Sequence, residues 1–184
     1  MARIVGVAGS LRKASFNAAL LRAAAARAPA GAGVEIASIA DIPLYDGDRE
    51  SDGGVPPPVA ALKDEIAAAD GLLIVTPEYN NSMPGVLKNA IDWLSRPPKD
   101  IARVFGDKPV AIMGATPGPG GTRMAQTAWL PVLRTLGTRA WFAKQLYVAG
   151  AAQVFDAEGR LIDEKIAKLL SDFMAGFVKF VDAK

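Results

Sequence analysis

Five times along this chain a short, continuously apolar run gives way to a loop and then to a helical pattern, and this alternation restricts the fold more than any other feature. The runs are RIVGVA (3–8), VEIAS (34–38), GLLIVT (71–76), PVAIMGA (109–115) and a weaker RAWFA (139–143). The helical patterns are FNAALLRAAAARA (16–28), PVAALKDEIAAA (58–69), GVLKNAIDWLS (85–95), RMAQTAWLPVLRTL (123–136) and EKIAKLLSDFMAGFVKFV (164–181). Runs that are apolar at every residue, not at every second one, suit parallel strands covered by helices on both faces. The expected architecture is an α/β three-layer sandwich, a five-stranded parallel sheet with right-handed crossovers. A chain of 184 residues that is 51% apolar can bury a sizeable core, so one domain over 1–184 is expected.

Two segments interrupt the rhythm. DIPLYDGDRESDGGVPPP (41–58) reads as a long polar loop, either a rim or partner surface or a disordered connector. VFDAEGRLI (154–162) reads as two short strands around an Asp-Ala-Glu-Gly turn, an ornament at the edge of the sheet.

Composition removes whole classes of chemistry. Twenty-one Lys and Arg against 19 Asp and Glu leave a formal charge of +2, too little for the field that nucleic acid requires. The chain has neither cysteine nor histidine. Disulfides, thiol nucleophiles, Ser-His-Asp machinery and zinc sites built on thiolate or imidazole are therefore excluded, and no metal site is expected. If the protein is an enzyme, a cofactor carries the difficult chemistry. Arg12, Lys13, Arg22 and Arg27 interrupt any secretory apolar segment near the N-terminus, and no run is long enough to span a membrane. A cytoplasmic location is expected.

In an open parallel sheet the ligand sits beyond the carboxyl ends of the strands, near the switch in strand order. Three loops therefore carry the functional reading. The first, GSLRKASFN (9–17), combines the hydroxyls of Ser10 and Ser15, the amide of Asn17, the guanidinium of Arg12 and the amide-rich start of a helix at Phe16. These donors suit a terminal phosphate dianion. Taken alone, the same residues also describe a helix capped by Ser15 with Arg12 and Lys13 in solvent. It matches neither the dinucleotide glycine pattern nor the P-loop.

The second loop, TPEYNNSMP (76–84), has Pro77 at the strand end, Asn80 and Asn81 suited to a turn, and Ser82 and Pro84 marking a helix start. A rigid loop with exposed backbone amides makes an edge for a flat heteroaromatic ring, although Tyr79 and Trp93 read equally as packing aromatics. The third, ATPGPGGTR (115–123), offers Thr116 and close backbone approach at Gly118, Gly120 and Gly121, or else a tight structural turn.

Taken in order, GSLRKASFN, PEYNNSMPGVLKNAIDWLSR and GPGGTR resemble the NAD(P)H-dependent FMN reductases, the flavodoxin-like group that includes bacterial chromate and quinone reductases. The resemblance covers most of the chain. It implies a flavodoxin-like fold with bound FMN, and NADH or NADPH as hydride donor. It assigns Ser10, Arg12, Ser15, Phe16 and Asn17 to the FMN phosphate, Pro77, Glu78, Tyr79 and Asn80 to the isoalloxazine, and Thr116 and Gly118 to its pyrimidine side. The third loop departs from the family's pattern, which more often has two residues between Pro-Gly and Gly-Gly; here Pro119 stands alone between Gly118 and Gly120.

The implied activity is ping-pong hydride transfer through the flavin to quinones or other small acceptors such as chromate, ferric complexes and azo compounds. No catalytic side chain is needed beyond the flavin. Arg96, in WLSR, is expected at the mouth as a contact for nucleotide or acceptor; a cation at a helix C-terminus is equally favoured by the dipole alone. A flavin reductase that releases reduced FMN and a flavodoxin-type electron carrier are the alternatives. The resemblance also implies a homodimer or homotetramer.

Overall fold

A computed structural model describes residues 1–183. Its strands are β1 (Ala2–Ala8), β2 (Ala32–Ala37), β3 (Gly71–Val75), β4 (Pro109–Ala115), β5 (Arg139–Ala140) and β6 (Tyr147–Val148). The helices are α1 (Phe16–Ala26), α2 (Gly47–Gly53), α3 (Pro57–Ala68), α4 (Gly85–Leu94), α5 (Ile101–Phe105), α6 (Arg123–Thr135), α7 (Ala151–Val154) and α8 (Glu164–Asp182). The order across the sheet is β2-β1-β3-β4-β5, every pairing is parallel, and β6 pairs with β4 beyond the end of β5. This is the flavodoxin-like arrangement, whose switch point lies between β1 and β3.

The central strands are buried on both sides, so alternate residues feed two cores. Ile4, Leu73, Val75, Ala111 and Met113 face one, packed with α1 and α8. Val5, Val7, Leu72, Ile74, Val110 and Ile112 face the other, with α3, α4 and α6. Helix α8 shows why the last pattern had to be a helix. Its buried residues Leu170, Phe173, Met174, Phe177, Val178 and Val181 recur at intervals of three and four, and the Asp163 carboxylate caps its start by accepting from Ile166 N–H at 2.8 Å.

The expected fifth strand is split. Arg139 and Ala140 pair with β4, the chain then leaves the sheet, and Tyr147 and Val148 rejoin it opposite Gly114 and Ala115. The cause is Trp141, which turns into the core against Phe173 and Phe177, with ring centroids 5.0 and 5.8 Å away. Segment 41–58 is an ordered structure containing α2, not a plain loop. Trp93 Nε1 and Asn89 Nδ2 both donate to the Pro43 carbonyl, and the Tyr45 N–H donates to Asn89 Oδ1. The 154–162 segment does form a turn, with one bridge between Phe155 and Leu161 and the Asp156 carboxylate accepting from the Glu158 and Arg160 N–H groups.

Candidate functional site

The three loops that follow β1, β3 and β4 meet in one cleft of about 180 Å³ at the carboxyl end of the sheet. Its walls bring together Ser10, Arg12, Ser15, Phe16 and Asn17 from the first loop, Pro77, Glu78 and Tyr79 from the second, and Thr116 from the third. Residues spread over more than a hundred positions in sequence are neighbours here because β1, β3 and β4 are adjacent and parallel, so their loops leave from the same edge.

The first loop gathers donor groups at the start of a helix. Ser15 is the N-cap of α1, its hydroxyl oxygen accepting from Ala18 N–H at 3.2 Å, which leaves its own proton free to donate. The first-turn N–H groups of Phe16 and Asn17 have no partner within the helix. Arg12 is exposed, and no carboxylate pairs with it among the described residues. Ser10 Oγ lies 3.5 Å from the Tyr79 hydroxyl, linking the first loop to the second.

Asn17 reaches the cleft but spends its amide elsewhere. Its Nδ2 donates to the Ala115 carbonyl at 2.8 Å and its Oδ1 accepts from Ala115 N–H at 2.9 Å. The side chain is 3% exposed and staples the start of α1 to the end of β4. The expectation that this amide serves the phosphate is therefore corrected: Asn17 offers an anion its backbone N–H and supplies alignment of the first and third loops. Unpaired backbone groups at a strand end are costly when buried, and the amide satisfies both of them.

The second loop is a two-residue hairpin. Tyr79 and Ser82 exchange backbone hydrogen bonds of 3.0 and 3.1 Å, with Asn80 at φ 50° and Asn81 at φ 59° between them. Two left-handed residues in succession define a type I′ turn, and asparagine is among the few residues that tolerate it. This carries Asn80 to the exposed tip, outside the wall of the cleft, so its expected contact with the ring is not what the geometry favours. Trp93, by contrast, is fully buried beneath Tyr45.

The carboxylate of Glu78, a residue of the cleft wall, is engaged by α6. Its Oε2 accepts from the N–H groups of Met124 and Ala125 at 2.9 and 3.1 Å. It thus caps α6, whose own N-cap, Thr122, makes no side-chain capping bond. A carboxylate at this position also meets the positive end of the helix dipole. Glu78 therefore ties the second loop to the third, leaving its backbone for a ligand. Replacing Glu78 with Ala should cost about 1 kcal/mol, the usual worth of a cap, lowering the melting temperature by about 2 to 4 °C. Glu78→Gln, which keeps an acceptor oxygen, should lose less. Thermal unfolding of the two variants tests this, and equal stability of both with the parent would remove the cap from the account.

Behind the loops lies a buried polar network that no local pattern announced. Trp129 Nε1 donates to Thr76 Oγ1 at 3.2 Å, and Thr76 Oγ1 donates to the Pro77 carbonyl at 2.9 Å. Gln126 Nε2 donates to Thr122 Oγ1 and to the Leu146 carbonyl. Thr76 and Thr122 are wholly buried. Between them Gly114 permits the contact: a Cβ there would stand 2.1 Å from the Thr76 carbonyl oxygen and 2.3 Å from Thr122 Oγ1. Thr116 lines the cleft, while Gly118 turns away and accepts from Gly150 N–H through its carbonyl.

Arg96 is not at the mouth. Helix α4 begins beside the cleft and its ten residues carry the chain about 15 Å away. At the far end, Arg96 Nε donates to Glu50 Oε2 at 2.8 Å and its carbonyl accepts from the buried Lys63. The Arg96 guanidinium holds the Glu50 carboxyl below the usual carboxylate range, chiefly through that hydrogen bond. Its role in this chain is to fasten α2 to α4.

Comparison with known proteins agrees with this geometry. The family model described as NADPH-dependent FMN reductase matches residues 2–153. The chain belongs to this family. The NAD(P)H-dependent FMN reductase of Pseudomonas aeruginosa is 44% identical over 168 residues, 91% of this chain and 89% of its own length. A 2-hydroxy-1,4-benzoquinone reductase from Burkholderia sp is 42% identical, covering 97% of this chain and 96% of that one. Among solved structures, FerB, a flavoenzyme NAD(P)H:(acceptor) oxidoreductase from Paracoccus denitrificans, superposes with a TM-score of 0.88 at 35% identity, covering 99% of this chain and 98% of that one. The reductase is accordingly an FMN-dependent oxidoreductase that uses NAD(P)H. The donor set fits the cofactor: hydroxyl, guanidinium and helix N–H groups at one end of the cleft, and backbone edges at the other. Among the described residues, no helix is long and apolar enough to cross a membrane.

Proposed function

We propose that the cleft holds FMN with its phosphate on Ser10, Arg12, Ser15 and the N–H groups of Phe16 and Asn17, its ring running along Pro77, Glu78 and Tyr79 toward Thr116, and that the reductase passes electrons to quinones. The observation that carries this reading is the convergence of three loops on one cleft that is anion-binding at one end only. Relatives named as quinone reductases support the acceptor class. Bound FMN supplies reversible hydride and electron transfer, taking reducing equivalents from NAD(P)H and yielding them to the acceptor.

The protein's own contribution is placement. Arg12 and the start of α1 neutralise and anchor the phosphate, the Asn17 staple and the Glu78 cap keep the three loops in register, and Tyr79, 45% exposed, forms the rim. Such preorganisation is what a cofactor enzyme without an acid-base side chain requires. We place the chain as one domain in the cytoplasm, working as a homodimer or homotetramer. Exposed apolar side chains at Val86, Met124, Leu130 and Phe142 support self-association.

The purified protein should be yellow, retain FMN through gel filtration, elute as an oligomer, and oxidise NADH or NADPH rapidly when a quinone is added. A colourless protein that takes up no FMN would overturn the reading. Loss of flavin on the column with NAD(P)H oxidation intact would instead make FMN a released substrate.

A further inference from the structure

A second and larger groove, about 530 Å³, opens directly beyond the phosphate loop. It shares Arg12, Ser15 and Phe16 with the cofactor cleft, so the two cavities meet where the flavin phosphate is placed. Its other walls come from Arg22 on α1 and from residues 152–159. Phe16 and Phe155 lie stacked beneath it with ring centroids 6.1 Å apart and planes 25° from parallel.

The charge of this groove is one-sided. Its carboxylates, Asp156 and Glu158, are both taken by Arg160, at 2.6 and 3.0 Å. Arg12, Lys13 and Arg22 line the same groove and have no carboxylate partner among the described residues. One guanidinium offsets only one of those two carboxylates, so Arg12, Lys13 and Arg22 leave the aromatic-floored space with a positive excess spread well beyond the reach of a single phosphate group. They are the complement of a second phosphate followed by a flat heteroaromatic group.

We propose that this groove binds the adenylate half of FAD, so that the reductase accepts FAD as well as FMN in its cofactor cleft. The proposal rests on placing the flavin phosphate at Ser10–Asn17. The second phosphate of FAD is bonded to the first and must leave the cleft at that point, where the groove begins. Lys13 and Arg22 would meet it, and the adenosine would lie between them and the Phe155–Glu158 turn.

The test is titration of flavin-free protein with FMN and FAD at physiological salt, where exposed charges more than about 8 Å apart are largely screened. Flavin fluorescence reports binding. FAD should bind within about threefold of FMN, a difference under 1 kcal/mol. Lys13→Glu combined with Arg22→Glu should weaken FAD by about tenfold or more, the loss of one charge-assisted contact, and change FMN by less than about threefold. Ala152→Trp, which fills the groove from its exposed wall, should discriminate in the same direction, and retained FMN binding shows that each variant is folded. Binding of FAD to the parent more than about tenfold weaker than FMN would overturn the proposal. So would variants that weaken both flavins equally. Failure of FMN itself to bind would overturn the phosphate assignment, and this extension with it.

Discussion

Replacing Arg12 with Ala should weaken FMN binding about 10- to 100-fold, because a charge-assisted hydrogen bond to a dianion is worth roughly 1.5 to 3 kcal/mol. Thermal stability of the flavin-free protein should hardly change. Arg12 is exposed, and its ties to the loop run through its backbone: its N–H lies 3.5 Å from Ser10 Oγ and its carbonyl accepts from Ser15 N–H at 3.2 Å. Riboflavin, which lacks the phosphate, is the internal control: its affinity should be the same in both proteins. If FMN and riboflavin lose affinity together, or if neither does, Arg12 is not at the phosphate. Asn17→Ala should behave differently, lowering stability along with FMN affinity, since its amide holds both backbone groups of Ala115.

The second large effect is expected at a residue that touches no ligand. Gly114→Ala sets a methyl group 2.1 Å from the Thr76 carbonyl oxygen and 2.3 Å from Thr122 Oγ1. Backbone cannot yield as the end of a flexible side chain can. Overpacking of this kind costs typically 1 to 3 kcal/mol and occasionally more, and a value of about 3 kcal/mol or above is expected because the nearest obstacle is main chain. For a chain of this length that corresponds to a fall in melting temperature of about 6 to 12 °C. Thr76 opens the second loop and Thr122 closes the third, so FMN should be lost as well, although Gly114 is no part of the cleft wall. Gly118→Ala is the comparison, since the space around that Cβ is open except for Thr116 Oγ1 at 3.8 Å. Equal stability of the two variants would show that the close approach at Gly114 does not govern the loops.

The proposed self-association bears on both measurements. Met124 and Leu130 on α6 are 54% and 42% exposed, and α6 is the helix that Glu78 caps. A change in the second loop should therefore be read alongside the elution volume, so that dissociation is not taken for loss of flavin.

Much of this protein is legible in its sequence, and the reason is local. Continuous apolar runs report burial on both faces of a strand, and intervals of three and four report a helix; five such pairs leave little choice but a doubly wound sheet. The proposed phosphate loop is legible for the same reason, since Ser15, Arg12 and the helix start at Phe16 are close in sequence as well as in space. Asn80 and Asn81 could have been read further, as a type I′ turn, because two successive residues that tolerate positive φ are the local mark of that hairpin. Tertiary structure alone decided what the polar side chains near the cleft are used for. Asn17 meets Ala115 across 98 positions and Glu78 meets Met124 across 46, so neither commitment leaves a trace in the residues around it. Residue type does not tell which end of α4 lies at the cleft; that follows from the direction in which the parallel strands run, and it sets Arg96 beside Glu50, outside the cleft wall. Local patterns determined that the chain would form the sheet and expose a donor-rich loop at its edge. Long-range hydrogen bonds determined which donors remained free to hold a ligand, because a buried polar group must first satisfy its nearest unpaired neighbour.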